Sequence, residues 1–98
     1  MTDPDRDRIH ADLLLAEKRG QAALKKAEAT RDRMATRLAE AYQRPKYLAV
    51  GRDGRLRDVA EHGDRPLPTD AELAAVVQEI QQLRRSLADI RERLTGLV

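Results

Sequence analysis

Cysteine, phenylalanine and tryptophan are absent from this chain, and its only aromatic side chains are two tyrosines. Without cysteine there can be no disulfide scaffold, thiolate nucleophile or Cys-ligated zinc. Without large rings, a compact globule lacks the side chains that usually fill its centre. Long apolar runs are missing as well. The densest, Leu13-Leu14-Leu15-Ala16, is too short for a signal core or a membrane span. The opening residues Met1-Thr2-Asp3-Pro4-Asp5 are acidic where a secretory signal would be basic. A cytoplasmic protein with no membrane partner is expected.

What the 98 residues do contain is charge, 37% of the total, and a 41% apolar fraction made mostly of Ala and Leu. Both of these apolar residues are strong helix formers, and their share is too high for a disordered chain. The length allows one small domain. The net charge of +2 conceals an asymmetry, because residues 18–57 carry twelve Lys/Arg against four Asp/Glu, whereas residues 1–17 carry two Arg against five acids. The basic middle suits an acidic partner or a phosphate backbone as well as a plain solvated face.

Asp3-Pro4 has the form of an N-cap with proline at the first helical position, and Asp5 and Asp7 complement the positive end of the helix dipole. A first helix is predicted over about 4–43, ending where Pro45 disfavours helical geometry at Arg44. Its stripe runs Ile9, Leu13, Ala16, Gly20, Leu24, Ala27, Arg31, Met34, Leu38, Tyr42. The mean spacing of about 3.67 residues implies a nearly straight helix. Gly20, with no side chain, and Arg31, with a charge, are its weak positions.

A β-hairpin is predicted over about 46–60, with Tyr47-Leu48-Ala49-Val50 and Leu56-Arg57-Asp58-Val59 on either side of an Asp53-Gly54 turn. Residues 61–68 read as a polar loop held extended by two prolines. The second helix, about 69–96, opens on Thr69-Asp70-Ala71-Glu72, a capping box. Leu73, Val76, Ile80, Leu83, Leu87, Ile90, Leu94 and Leu97 then alternate spacings of three and four, the pattern of a coiled-coil seam. The expected fold is mainly α: two long helices joined by a short β-hairpin in a single domain, an antiparallel helical hairpin or coiled coil. That layout is similar to the prefoldin β-type chaperone subunits, which carry a β-hairpin between two long helices. The likeness is one of layout and rests on no shared motif.

Such a hairpin should assemble into an oligomeric bundle, most simply a dimer of four helices. The first helix is expected to overhang the second by about eleven residues, or ~16 Å, leaving Ile9 and Leu13 uncovered. Leu14, Leu15 and Val77 lie outside the seams and widen the apolar faces beyond a two-helix pair. The residues assigned to the oligomer interface are Ile9, Leu13, Leu24, Met34, Leu38, Leu73, Val76, Ile80, Leu83, Leu87, Ile90 and Leu94. A parallel zipper of the second helix, with Glu79 and Arg84 as its flanking pair, is the rival arrangement.

Arg8, Arg19, Lys26, Arg33, Arg37 and Arg44 fall within about 40° of one another on a helical projection. With Arg52, Arg55 and Arg57 of the hairpin they form the candidate surface for nucleic acid or an acidic protein. No stacking aromatics interleave and no groove-reading motif is present, so a charged flank covering the apolar stripe is the preferred explanation. His10 one turn after Asp7, and His62 near Asp64, are the only candidates for metal or acid–base chemistry. Ser86, the single serine, has no histidine near it in sequence. Tyr42 and Tyr47 bracket the helix-to-hairpin junction and are expected to pack there. No cofactor motif occurs, and Gly51-Arg-Asp-Gly54 is turn chemistry rather than a phosphate loop. The expectation is a non-enzymatic, self-associating scaffold, chaperone-like or protein–protein interaction module, with a small nucleic-acid-associated accessory protein as the alternative.

Overall fold

A computed structural model describes residues 3–59 and 65–97 of the chain. In chain order these form α1 (Pro4–Tyr42), a 3-10 turn (Pro45–Tyr47), β1 (Leu48–Val50), β2 (Leu56–Asp58), β3 (Arg65–Pro66) and α2 (Asp70–Gly96). The protein is therefore mainly helical, with a small antiparallel sheet of order β1-β2-β3 between its two helices. The chain divides into two units: Met1–Glu28 with Gln78–Val98, and Ala29–Val77.

Both helix starts follow from their caps. The Asp3 carboxylate accepts the Asp5 N–H at 3.1 Å and the Asp3 carbonyl accepts the Asp7 N–H at 3.0 Å, with Pro4 fitted into the first helical position. At α2 the capping box closes in both directions. The Glu72 N–H donates to Thr69 Oγ1 at 3.1 Å, and the Thr69 N–H donates to Glu72 Oε1 at 3.2 Å. Two backbone donors that would otherwise lack partners are thereby satisfied.

In the first unit the two helical segments run antiparallel. The Arg6 guanidinium donates to the Leu97 carbonyl, Glu17 meets Arg91 at 3.1 Å and Glu28 meets Arg84 at 3.6 Å. Ala27, Ile80 and Leu87 are buried here, and a fully covered Leu or Ile side chain contributes about 1.5–3 kcal/mol. The contact between Arg6 and Leu97 corrects the expected overhang, because α2 reaches the first turn of α1. Leu13 is half-buried within its own chain, while Ile9 remains 51% exposed. Gly20 is not a weak position either. Leu87 packs onto its bare backbone so closely that an added Cβ would lie 2.8 Å from Leu87 Cδ2.

The second unit explains where the extra length of α1 goes. Leu67 is buried, and the Arg37 guanidinium on α1 donates to the Pro66 carbonyl at 2.8 Å. The segment carrying β3 thus covers the last turns of α1. β1 and β2 pair Leu48 with Asp58, Ala49 with Arg57 and Val50 with Leu56, and β2 also pairs with β3, Arg57 opposite Pro66 and Asp58 opposite Arg65. Part of the predicted 61–68 loop is accordingly a third strand. Its proline sits at the sheet's edge, where the missing N–H costs no ladder bond. The hairpin turn is a three-residue loop. The Gly54 N–H donates to the Gly51 carbonyl at 3.0 Å, Gly54 takes φ 78°, and the Gly51 N–H donates to the Arg55 carbonyl at 2.9 Å. A type I turn followed by a left-handed glycine has this bond pattern. Tyr42, expected to pack at the junction, is 62% exposed; its neighbour Ala41 is buried instead, at 1%. Tyr47 is half-buried, with Lys46 Nζ 5.1 Å from its ring centroid.

Candidate functional site

The residues assigned to self-association divide sharply by exposure. Every seam residue of α2 from Leu73 to Leu97 is buried or half-buried, and every other described residue of that helix is exposed. Leu24, Met34 and Leu38 of α1 are half-buried like Leu13. Burial of Ile80 and Leu87 is completed within a single chain, which leaves nothing of either side chain for a parallel zipper of α2 to use. Among the described residues of the first unit, the large apolar side chains that stay open are Ile9, Leu14 at 47% and Leu15 at 46%, all within seven residues of α1.

The cationic residues separate in the same way. Arg37 is bound to the Pro66 carbonyl and Arg44 to Asp58 at 3.3 Å. Arg33 donates to Thr30 Oγ1 at 3.2 Å, and Arg57 lies 3.9 Å from Asp53. Arg44 also leaves the row read from the projection, because α1 ends at Tyr42 and Arg44 has φ −126° and ψ 63°. Lys26 is exposed and has an interaction within the chain. Among the described residues no hydrogen bond or ion pair holds Arg8, Arg19 or Arg52, and all three are exposed.

Arg55 has a role that its place in the sequence does not announce. Its Nε donates to the Leu67 carbonyl at 2.9 Å and a terminal nitrogen meets Glu72 Oε1 at 2.6 Å. One guanidinium thus joins the hairpin, the strand segment and the first turn of α2, using the fork geometry of arginine. Glu72 is held below the ordinary carboxylate range by the Thr69 backbone N–H first, then by the Thr69 hydroxyl and the charge of Arg55. The signal available in sequence was the capping box, which fixes Glu72; nothing local points from there to Arg55, seventeen residues earlier.

Beside this junction lies an open groove of about 470 Å³, lined by Thr30, Met34, Arg37, Arg55, Pro68, Glu72, Ala75 and Val76. Its lining is mostly apolar and includes two guanidiniums and one carboxylate. No nucleophile with an adjacent base lines it. In the first unit a smaller hollow of about 210 Å³ is lined by Arg6, Asp7, His10 and Leu97. His10 and Asp7 do share this hollow, but among the described residues no three His, Asp or Glu side chains converge to hold a metal. His62 and Asp64 lie outside the described residues. Ser86 is exposed on α2, away from any described histidine in sequence. Among the described residues, no helix is long and apolar enough to cross a membrane. No protein-family model, curated protein or solved structure matches the chain.

Proposed function

We propose that this protein is a non-enzymatic, self-associating helical module of the cytoplasm that serves as a scaffold, chaperone-like or protein–protein interaction unit. The observation that carries this reading is the exposure of Ile9, Leu14 and Leu15 on α1, whereas the α2 seam is buried or half-buried inside the chain. Adjacent exposed leucines outside a satisfied core form the kind of apolar patch that marks interaction surfaces. On this reading association uses exposed apolar side chains of α1 in addition to the half-buried seam residues of α2.

Association makes stability depend on concentration, since only the folded assembly gains from a partner. The thermal midpoint should therefore rise measurably as protein is taken from about one to one hundred micromolar. A midpoint independent of concentration over that range would refute self-association.

The alternative, a nucleic-acid accessory role through the basic row, draws on Arg8, Arg19 and Arg52. It is weakened by the intrachain bonds of Arg33, Arg37, Arg44 and Arg55. Duplex binding through phosphates would fall steeply with salt. Fluorescence anisotropy on a random duplex should show no binding beyond that of an unrelated protein of equal charge. Salt-dependent binding abolished by Arg8→Gln with Arg19→Gln would favour the alternative.

A further inference from the structure

We infer that the open edge of β1 is a docking site for an extended acidic peptide, which joins the sheet as a further strand beside Leu48–Val50. The site lies in the second unit and is independent of the α1 leucines.

The register shows which backbone groups this edge offers. The Tyr47 carbonyl accepts the Val59 N–H at 2.8 Å, and the Gly51 N–H donates to the Arg55 carbonyl at 2.9 Å. Tyr47, Ala49 and Gly51 therefore turn their hydrogen-bonding groups towards β2, and Leu48 and Val50 turn theirs the other way. In the sheet order β1-β2-β3 no described strand lies on that other side. The Leu48 N–H is used locally, donating to the Pro45 carbonyl. The Leu48 carbonyl and both backbone groups of Val50 stay open, and an incoming antiparallel strand can bond to all of them. At the same place the Val50 side chain is 69% exposed, more than any other large apolar side chain described. Open backbone groups and an exposed β-branched side chain suit one kind of occupant, another strand.

Charge decides which strand. Lys46 precedes β1 and Arg52 follows it; both are exposed, and among the described residues neither is in an ion pair. Over residues 44–58, Arg44, Lys46, Arg52, Arg55 and Arg57 stand against Asp53 and Asp58, a net of +3. A second copy of the same edge is disfavoured. Pairing two copies antiparallel, Leu48 opposite Val50, would set Lys46 against Arg52 at both ends, and like charges directly opposite are destabilising. Cations on an edge strand are one way a sheet avoids pairing with its own copies. The same two cations favour a strand with an acid at each end of a short β-branched centre, where complementary charge fixes the register.

The probe is the peptide Glu-Thr-Val-Thr-Val-Thr-Glu, blocked at both ends, titrated into the isotopically labelled full chain and followed by NMR. It should shift the Val50 amide and slow its exchange with solvent. Replacing both glutamates of the peptide by lysine should weaken binding at least tenfold, and N-methylating its two valines should abolish it. On the protein, Val50→Pro removes an N–H that faces away from the sheet, so it costs no ladder bond, and it should lose the peptide with circular dichroism unchanged. Lys46→Glu with Arg52→Glu changes only exposed charges and should reverse the preference, so that the lysine peptide binds more tightly than the glutamate one. Wild type that binds neither peptide would overturn the site. Equal binding of the N-methylated and parent peptides would overturn strand addition, and equal binding of the acidic and basic peptides would overturn the choice of an acidic partner.

Discussion

The two units of the molecule are held together by different chemistry. In the unit formed by Met1–Glu28 and Gln78–Val98, apolar side chains meet directly: Leu87 lies on the bare backbone of Gly20, and Ile80 and Ala27 are buried. Its ion pairs, Glu17 with Arg91 and Glu28 with Arg84, lie at the margin, where such pairs contribute about 0–1 kcal/mol. Among the described residues of the unit Ala29–Val77, only Ala41 and Leu67 are buried hydrophobics. Guanidinium groups supply the joints instead: Arg37 on the Pro66 carbonyl, Arg44 on Asp58, and Arg55 on both the Leu67 carbonyl and Glu72. Two helices can interdigitate along a seam, but three short strands cannot enclose a core, so the carbonyls of an irregular segment must find donors in side chains. Arginine serves because one planar head reaches two acceptors at once.

Substitutions that respect this division should have effects of graded size. The largest is expected from Leu87→Asp, which places a carboxylate against Gly20 with no partner for it. Burying that charge, or opening the helix pair to avoid it, should cost about 4 kcal/mol or more and lower helicity in circular dichroism. Arg55→Met comes next. It leaves the carbonyl of buried Leu67 without its donor, at about 1–3 kcal/mol, and hydrogen exchange should quicken in the first turn of α2 and in β3. Arg91→Met, the comparable change in the other unit, should cost less than about 1 kcal/mol. Equal losses for the two arginines would contradict the division.

Thr69→Ala should cost about 1 kcal/mol by removing the α2 cap, with the denaturant midpoint as the readout. The smallest effect is one of pH. Because the Glu72 carboxyl is held below its ordinary value of 4.5, its ionised form adds stability that is complete above that value. The contribution is lost as pH falls through the lowered value in the folded state. Glu72→Gln should therefore lack part of the acid destabilisation that wild type shows below pH 4.5, while differing little in slope at neutral pH.

Much of the fold was legible in the sequence because a period reports a helix face. The spacing of Leu73 to Leu97 marked every shielded position on α2, and the capping box located its start. Where the neighbour changes, the period stops being informative. The α1 stripe extrapolates to Tyr42, but the residue shielded there is Ala41, because the chain packed on that stretch is an extended segment around Leu67 rather than a helix. β3 was hidden by its two-residue length and its proline, which reads as loop. Gly20 looked like a gap because a missing side chain says nothing of what approaches it. The cationic row was legible as a projection of residue angles. Its use was not, since the acceptors of Arg37 and Arg55 are backbone carbonyls, which every sequence has everywhere. The exposure of Leu14 and Leu15, by contrast, was legible as soon as the seam had been assigned.

Light scattering behind a sizing column, with wild-type protein at tens of micromolar, decides whether the exposed leucines of α1 serve association. The expected result is a single species of twice the 11.1 kDa chain mass that shifts towards the chain mass on dilution. A monodisperse, fully helical species at 11.1 kDa across the whole concentration range would contradict it.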